Sequence, residues 1–260
     1  MKYDFDTVID RRNSDSYKWD VSENELPMWV ADMDFRTAPE IIKALSERIK
    51  HGIFGYTTIS EEWYQAYIDW WKTRHKIEYQ KEEFIFSTGV IPTISSCVRK
   101  LTTPAENVVI LTPVYNIFYN CIRNNGRNVL ECPLEYSNGE YSINWISLEE
   151  KLSNPQTTMM LLCNPHNPTG NIWNSETLAR IGEIACDNGV IVLSDEIHCD
   201  ITDPDCNYIP FASVSEKCRQ NCIICVAPTK AFNLAGLQTS AVIVPNPQLR
   251  HKVWRGLNTD

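Results

Sequence analysis

Six short apolar, β-rich runs punctuate the chain from residue 84 onward: Phe84 to Ser87, Val108 to Leu111, Thr158 to Cys163, Val190 to Ser194, Ile223 to Ala227, and Ala241 to Val244. Each has the length of a strand, and segments of helical character separate them, which predicts an α/β fold with a mostly parallel central sheet and flanking helices. Between the third and fourth runs, Leu178, Ile181, Ile184 and Ala185 recur at helical spacing within Ser175 to Asn188. Gly189 ends that pattern, so a crossover helix is expected there. Ahead of the runs, Thr37-Ala38-Pro39-Glu40 reads as a helix start, followed by Ile41, Ile42, Leu45 and Ile49 on one face. Ser60-Glu61-Glu62 reads as a second start, and Trp63, Tyr67, Trp70 and Trp71 then gather on one side of a helix, a packing stripe. A last helix carries Leu249, Val253, Trp254 and Leu257.

At 260 residues, 43% hydrophobic and 22% charged, the chain can bury a full core as one large domain with room for fragments of a second. The net charge of -9 opposes the phosphate contacts of nucleic-acid binding. No apolar run is long enough to span a membrane, and the acidic opening Met1-Lys2-Tyr3-Asp4-Phe5-Asp6 does not look like a signal peptide, so a cytoplasmic protein is expected. The ten cysteines are scattered through apolar runs and read as free, mostly buried thiols. Cys222 and Cys225 enclose Ile223 and Ile224 and read as a buried strand rather than a metal or redox pair, and the dispersed histidines suggest no metal site.

In a parallel α/β sheet, ligands sit beyond the carboxyl ends of the strands, so the residues after each run carry the chemistry. After the first run stands Ser87-Thr88-Gly89-Val90-Ile91, where a glycine ahead of a helix N-terminus lets the backbone approach an anion, though an ordinary turn reads the same way. The second run ends in Thr112-Pro113-Val114-Tyr115, an aromatic at the same edge. The third ends in Asn164-Pro165-His166-Asn167-Pro168-Thr169-Gly170, whose two Asn-Pro pairs are expected to hold the backbone extended. Asp195 and Glu196 leave the fourth, where a buried carboxylate calls for a cationic partner. After the fifth comes Ala227-Pro228-Thr229-Lys230, and a lysine at the exit of a buried strand is placed for a depressed pKa and nucleophilic attack on a carbonyl.

Asn167, Asp195 and Lys230, in this order and spacing, resemble the signature of the fold-type I pyridoxal-phosphate (PLP) enzymes, the aminotransferase class I/II superfamily. Leu26-Pro27-Met28-Trp29-Val30-Ala31-Asp32-Met33-Asp34-Phe35, Asp195-Glu196-Ile197-His198 and Lys230-Ala231-Phe232-Asn233-Leu234-Ala235-Gly236 further resemble the MalY/PatB branch of cystathionine β-lyases. The resemblance covers essentially the whole chain. It implies an N-terminal segment and start of a small domain over 1–50, and a PLP-binding large domain over 51–260 that is incomplete at its C-terminal end. The remainder of the small domain, including an arginine that clamps the substrate carboxylate, would lie beyond this chain.

The same resemblance implies that Lys230 forms the Schiff base with the cofactor and that Asp195 keeps the pyridine nitrogen protonated. Asn167 would bond the ring hydroxyl, Tyr115 would stack on the ring, and Gly89, Val90, Ile91 and Thr229 would cradle the phosphate. Tyr56 matches a tyrosine that reaches the phosphate from the other subunit, which implies a homodimer. Two departures stand out: Gln238 replaces an arginine that many aminotransferases direct at the phosphate, and His198 takes the place of a tyrosine near the ring hydroxyl. The implied activity is cleavage of cystathionine or another cysteine S-conjugate to thiol, pyruvate and ammonia. An aminotransferase using the same lysine, and a non-catalytic binding or regulatory protein on the same fold, are the alternatives.

Overall fold

The computed structural model describes residues 3–259; Met1, Lys2 and Asp260, the outer ends of the two segments expected above, lie outside them. The described chain divides into two units. One comprises the chain up to Thr58 together with Pro228–Gln238, and the other Ile59–Ala227 together with the chain from Thr239 onward.

The larger unit is built on strands β1 (Phe84–Ser87), β2 (Asn107–Thr112), β3 (Asn128–Ser137), β4 (Glu140–Ile143), β5 (Thr157–Cys163), β6 (Ile191–Asp195), β7 (Cys222–Val226) and β8 (Ser240–Ile243). They form one sheet in the order β1-β8-β7-β6-β5-β2-β3-β4. From β7 to β3 all neighbours are parallel, while β8 lies antiparallel between β7 and β1, and β4 is antiparallel to β3. The six apolar runs are six of these strands, within a residue at their ends. The hairpin of β3 and β4 was not anticipated: β3 carries Glu131, Pro133 and Glu135 and is buried mainly at Cys132 and Leu134, the polar look of a strand near a sheet edge.

Both faces of the sheet are covered. Along β5, Met160 and Leu162 enter one apolar cluster, with Val109, Val192 and Ile224, while Met159, Leu161 and Cys163 enter the other, with Ile110, Leu193 and Ile223. This alternation is the two-residue period of a strand, and burial on both faces explains why the runs are apolar throughout. Fully burying each such side chain contributes roughly 1.5–3 kcal/mol. Helices α2 (Glu61–Arg74), α5 (Trp145–Leu152), α6 (Ser175–Asp187) and the short α7 (Glu216–Gln220) supply the first cluster, and α3 (Val90–Leu101), α4 (Ile117–Arg123) and α8 (Pro247–Leu257) the second.

The helix boundaries follow their caps. Ser60 accepts from the Trp63 N–H at the start of α2, and Asn174 from the Thr177 N–H at the start of α6, each such cap being worth about 1 kcal/mol. Gly189, at φ +68, closes the predicted crossover in a left-handed conformation that other residues resist. The aromatic stripe of α2 is packing, as expected: Trp71 is buried, and Trp63 and Tyr67 lie against the same cluster. The last helix packs its apolar set, with Leu249 and Val253 buried and Gly256 letting α8 approach Ser96 and Lys100 on α3; only Trp254 of that set is exposed.

In the smaller unit, helix α1 (Pro39–His51) starts at the predicted proline, yet none of its residues is buried, and Ile42, Leu45 and Ile49 are exposed. All ten cysteines are free, and only Cys186 and Cys206 are not buried. Cys222 and Cys225 face opposite sides of the sheet, so they cannot hold one ion between them. Among the described residues no helix is long and apolar enough to cross a membrane.

Candidate active site

In the larger unit the carboxyl ends of the parallel strands are level: Cys163 on β5 pairs with Asp195 on β6, which pairs with Cys225 on β7. Asp195 is 5% exposed, and its Oδ1 accepts from the Ile197 N–H at 3.1 Å, a turn that fixes the side chain at the strand end. The Asp195 carbonyl accepts from the Asn164 N–H at 2.9 Å, which anchors the loop after β5 to the end of β6.

That loop is not extended as its two Asn-Pro pairs suggested. Both bonds are cis, and the chain folds into a turn in which the Gly170 N–H donates to the His166 carbonyl at 2.8 Å. His166 is the reason: it is 2% exposed, its Nε2 faces the Leu111 carbonyl at 3.3 Å and its Nδ1 the Thr169 hydroxyl at 2.9 Å. A proton on Nε2 satisfies both contacts, and burial lowers the imidazole pKa to about 4. Asn164 is fully buried, donating from Nδ2 to the Ile209 carbonyl. Asn167 is thereby left half-buried at the edge, and its carbonyl accepts from the Tyr115 N–H at 3.0 Å. Tyr115 is 37% exposed and sets its ring edge-on to the buried Phe118. Two of the expected cofactor residues are thus joined by backbone.

At the end of β1, Thr93 Oγ1 donates to the Ser87 hydroxyl at 2.7 Å and lies 2.9 Å from the Gly89 carbonyl, while Ser240 Oγ donates to the Ser87 carbonyl at 3.1 Å. These bonds pin the turn that opens α3. No side chain caps α3 and its first turn holds no acidic residue, so the N–H groups at Gly89, Val90 and Ile91 present a positive helix end. A Cβ on Gly89 would meet Pro92 Cδ at 3.2 Å, so the close backbone approach belongs to glycine. His198 is half-buried in the turn after β6, its carbonyl accepting from the Ile201 N–H at 2.9 Å.

Glu196, beside Asp195, is fully buried, and sequence reasoning gave it no role. Its Oε1 accepts from Ser194 Oγ at 2.9 Å and the Phe211 N–H at 3.0 Å, and its Oε2 from the Tyr208 hydroxyl. Burial raises its pKa to about 7 against the pull of those three donors, with the neighbouring Asp195 charge adding to the rise. Elsewhere in this unit His75, Cys199 and Asp200 stand close enough to hold a metal. Asp200, however, already accepts from Trp70 Nε1, Arg74 Nε and His75 Nε2, and the Arg74 guanidinium at 2.6 Å disfavours a second cation.

The smaller unit holds the remaining expected residues. Lys230, four residues beyond β7, donates from Nζ to the Ala31 carbonyl at 3.1 Å, and Thr229 is buried beside it in sequence. Tyr56 is fully exposed. Gln238 takes a left-handed conformation at φ 49 after the turn Ala235–Leu237, with its side chain exposed.

The sequence model of aminotransferase class I and II matches residues 23–257. The chain belongs to this family. It is 43% identical over 254 residues to cystathionine β-lyase PatB of Bacillus subtilis, covering 95% of this chain and 66% of that protein. To protein MalY of Escherichia coli it is 33% identical, covering 95% of this chain and 65% of that protein. It therefore spans about two-thirds of the length of the curated relatives it matches. Cystalysin of Treponema denticola, whose structure contains pyridoxal 5'-phosphate, superposes with a TM-score of 0.94 at 35% identity, over 98% of this chain and 67% of that one. A PLP-bound C-S lyase from Staphylococcus hominis gives 0.90 at 34% identity, over 96% and 65%. The fold is that of the fold-type I PLP-dependent enzymes.

Proposed function

We propose that this family member is the large part of a PLP-dependent carbon-sulfur β-lyase that cleaves cystathionine or a related cysteine S-conjugate to a thiol, pyruvate and ammonia. The observation that carries the reading is the likeness over nearly the whole chain to the cystathionine β-lyase PatB. The residue chemistry of each unit supports it: in the larger, a buried carboxylate at the end of β6 and an uncapped helix start after β1 fit for a phosphate, and in the smaller, the lysine that follows β7 in sequence.

Bound there, the cofactor supplies an aldehyde for the lysine and a ring that accepts electrons from Cα. Lys230 would hold the aldehyde through Nζ, and the same amine, when free, would take the proton from the substrate Cα. Asp195 would keep a proton on the ring nitrogen through its carboxylate, and its burial would strengthen that interaction. The Asn167 amide would serve the ring hydroxyl, and the Tyr115 ring would stack on the cofactor ring. The backbone N–H groups of Gly89, Val90 and Ile91, with the Thr229 hydroxyl, would hold the phosphate. His198, on the loop that follows Asp195, would be a further cofactor residue.

The exposed run Ile53, Phe54 and Tyr56 supports a homodimer in which Tyr56 serves the partner's phosphate site. Free, mostly buried thiols support a cytoplasmic setting. Incubation of the protein with cystathionine and PLP is expected to release pyruvate, and Lys230→Ala to lower the rate by at least about a hundredfold. Pyruvate release no faster than that of the Lys230→Ala control would sink the proposal. Keto-acid release with conversion of the cofactor to its amine form would mark an aminotransferase instead.

A further inference from the structure

The Asp32-Met33-Asp34 tripeptide of the smaller unit is held more tightly than an exposed N-terminal segment needs to be. Arg11 donates from one guanidinium nitrogen to Asp34 Oδ1 at 2.7 Å, Asp32 Oδ1 at 3.2 Å and the Met33 carbonyl at 3.2 Å, and from the other to Asp32 Oδ2 and Ser16 Oγ at 2.9 Å. Lys18, only 7% exposed, donates to Asp34 Oδ2 at 2.7 Å and to the Asp32 carbonyl at 3.0 Å, and Trp19 Nε1 adds a bond to Asp34 Oδ1 at 2.8 Å. Two cations and two anions thus neutralise each other around one stretch of backbone. Such a cluster is a weak source of net stability, because desolvation offsets much of its attraction. What it supplies is a fixed backbone.

The same backbone is also gripped by the turn that carries Lys230. Asn233 Oδ1 accepts from the Met33 N–H at 3.1 Å, and Nδ2 donates to the Met33 and Phe35 carbonyls, both at 2.9 Å. Asn233 sits at φ 54, a left-handed conformation that asparagine tolerates. Its turn is closed by the Phe232 N–H on the Pro228 carbonyl and the Leu234 N–H on the Thr229 carbonyl, each at 2.9 Å, and Thr37 Oγ1 donates to the Phe232 carbonyl at 2.7 Å. Between these clamps lies the 3.1 Å contact of Lys230 Nζ with the Ala31 carbonyl, two residues before Met33.

We propose that Asn233 and the Arg11, Lys18, Asp32 and Asp34 cluster are positioning residues for Lys230, fixing the Ala31 carbonyl as the seat on which its amine rests before it attacks an aldehyde. The proposal rests on the reading of Lys230 as the cofactor lysine. A lysine side chain is rich in rotamers, and a seat held by two clamps removes that freedom before the reaction.

The test is the rate at which pyridoxal 5'-phosphate forms a borohydride-trappable adduct with the full chain, measured against pH and mapped by peptide mass spectrometry. The wild type is expected to be labelled at Lys230. Asn233→Gly keeps a residue that accepts the left-handed conformation and removes all three side-chain bonds. It is expected to slow Lys230 labelling roughly ten- to a hundredfold, to move the pH of half-maximal rate and to spread label to other lysines. Should that variant fail to fold, Asn233→Asp, which retains the acceptor and loses both donors, carries the same comparison. A folded variant labelled at Lys230 at the wild-type rate and pH overturns the positioning role. Wild-type label that avoids Lys230 overturns the reading of the lysine itself.

Discussion

Asp195 and Glu196 leave the same strand and are both buried, but their carboxyl groups meet different partners. Asp195 keeps to the site edge, whereas Glu196 turns inward to three donors and has its pKa raised from 4.5 to about 7. A carboxyl whose pKa is raised on folding binds its proton more tightly in the native state. Its stabilising contribution is fully present below pH 4.5 and is lost as pH rises through about 7. His166 works in the opposite sense: with its pKa lowered from 6.5 to about 4, its contribution is present above 6.5 and lost as pH falls through about 4. The two overlap, so the informative quantity is the difference between variants. Glu196→Gln can keep the acceptor for Ser194 and Phe211 and donate to the Tyr208 oxygen, and its melting temperature is expected to approach or exceed that of the wild type towards pH 7.5 and to fall behind it towards pH 5. A constant offset across that range would show that Glu196 does not titrate as described.

At this scale the sequence was most informative where a residue's meaning is set by its position at a strand end. Lys230, Asp195 and Asn167 each follow a recognisable apolar run, so their position just after a strand could be read directly. Arg11, Lys18 and Asn233 could not be read that way, because Asn233 and the backbone it grips are about two hundred positions apart. A left-handed asparagine has no local signature. Nor does Glu196, whose donors Tyr208 and Phe211 come from an irregular segment.

Among the elements, those that must be buried on both faces were legible and those that need not be were not. Strands β1, β2 and β5 to β8 declare themselves by uninterrupted apolar runs, while β3 and β4, at the sheet's far edge, do not. The start at Ser60 and the stop at Gly189 placed helices on chemistry that local sequence does contain. The turn after β5 escaped because His166 organises it through a carbonyl on another strand. A glycine inside α6 shows a second kind of hidden constraint. A Cβ at Gly182 would stand 2.1 Å from Cys218 Sγ and 3.3 Å from Phe211 Cζ, so α7 packs directly on the backbone of α6. Alanine would favour the helix by up to about 1 kcal/mol, yet overpacking costs typically about 1–3 kcal/mol. Gly182→Ala should therefore lower the melting temperature, and Cys218→Ala combined with it should recover part of the loss. Stabilisation by Gly182→Ala alone would contradict the packing.

For the molecule as a whole, the two units bury apolar surface very differently. The larger has a covered sheet, and the smaller leaves Ile42, Leu45, Ile49, Ile53, Phe54 and Tyr56 exposed. Exposed apolar side chains of this size and number would suit the homodimer contact proposed above. Sedimentation of the chain at micromolar concentration is expected to give twice the monomer mass, and Phe54→Asp to weaken association by at least about tenfold, the effect of losing roughly 1.4 kcal/mol. A wild-type chain that remains a monomer at about 100 µM would rule out a dimer held by this chain's own surface.

The pairing of β1 with β8, and of the Asp32–Asp34 backbone with Asn233, has a consequence for how the protein is made. β1 has a single neighbour in the sheet, and that neighbour emerges from the ribosome some hundred and fifty residues later. The seat of the lysine likewise waits for the segment that brings the lysine. Pairings so distant in sequence are slow to close. During synthesis these early segments therefore wait for their partners, and Lys230 and the backbone contact that restrains it are completed in the same stretch of translation.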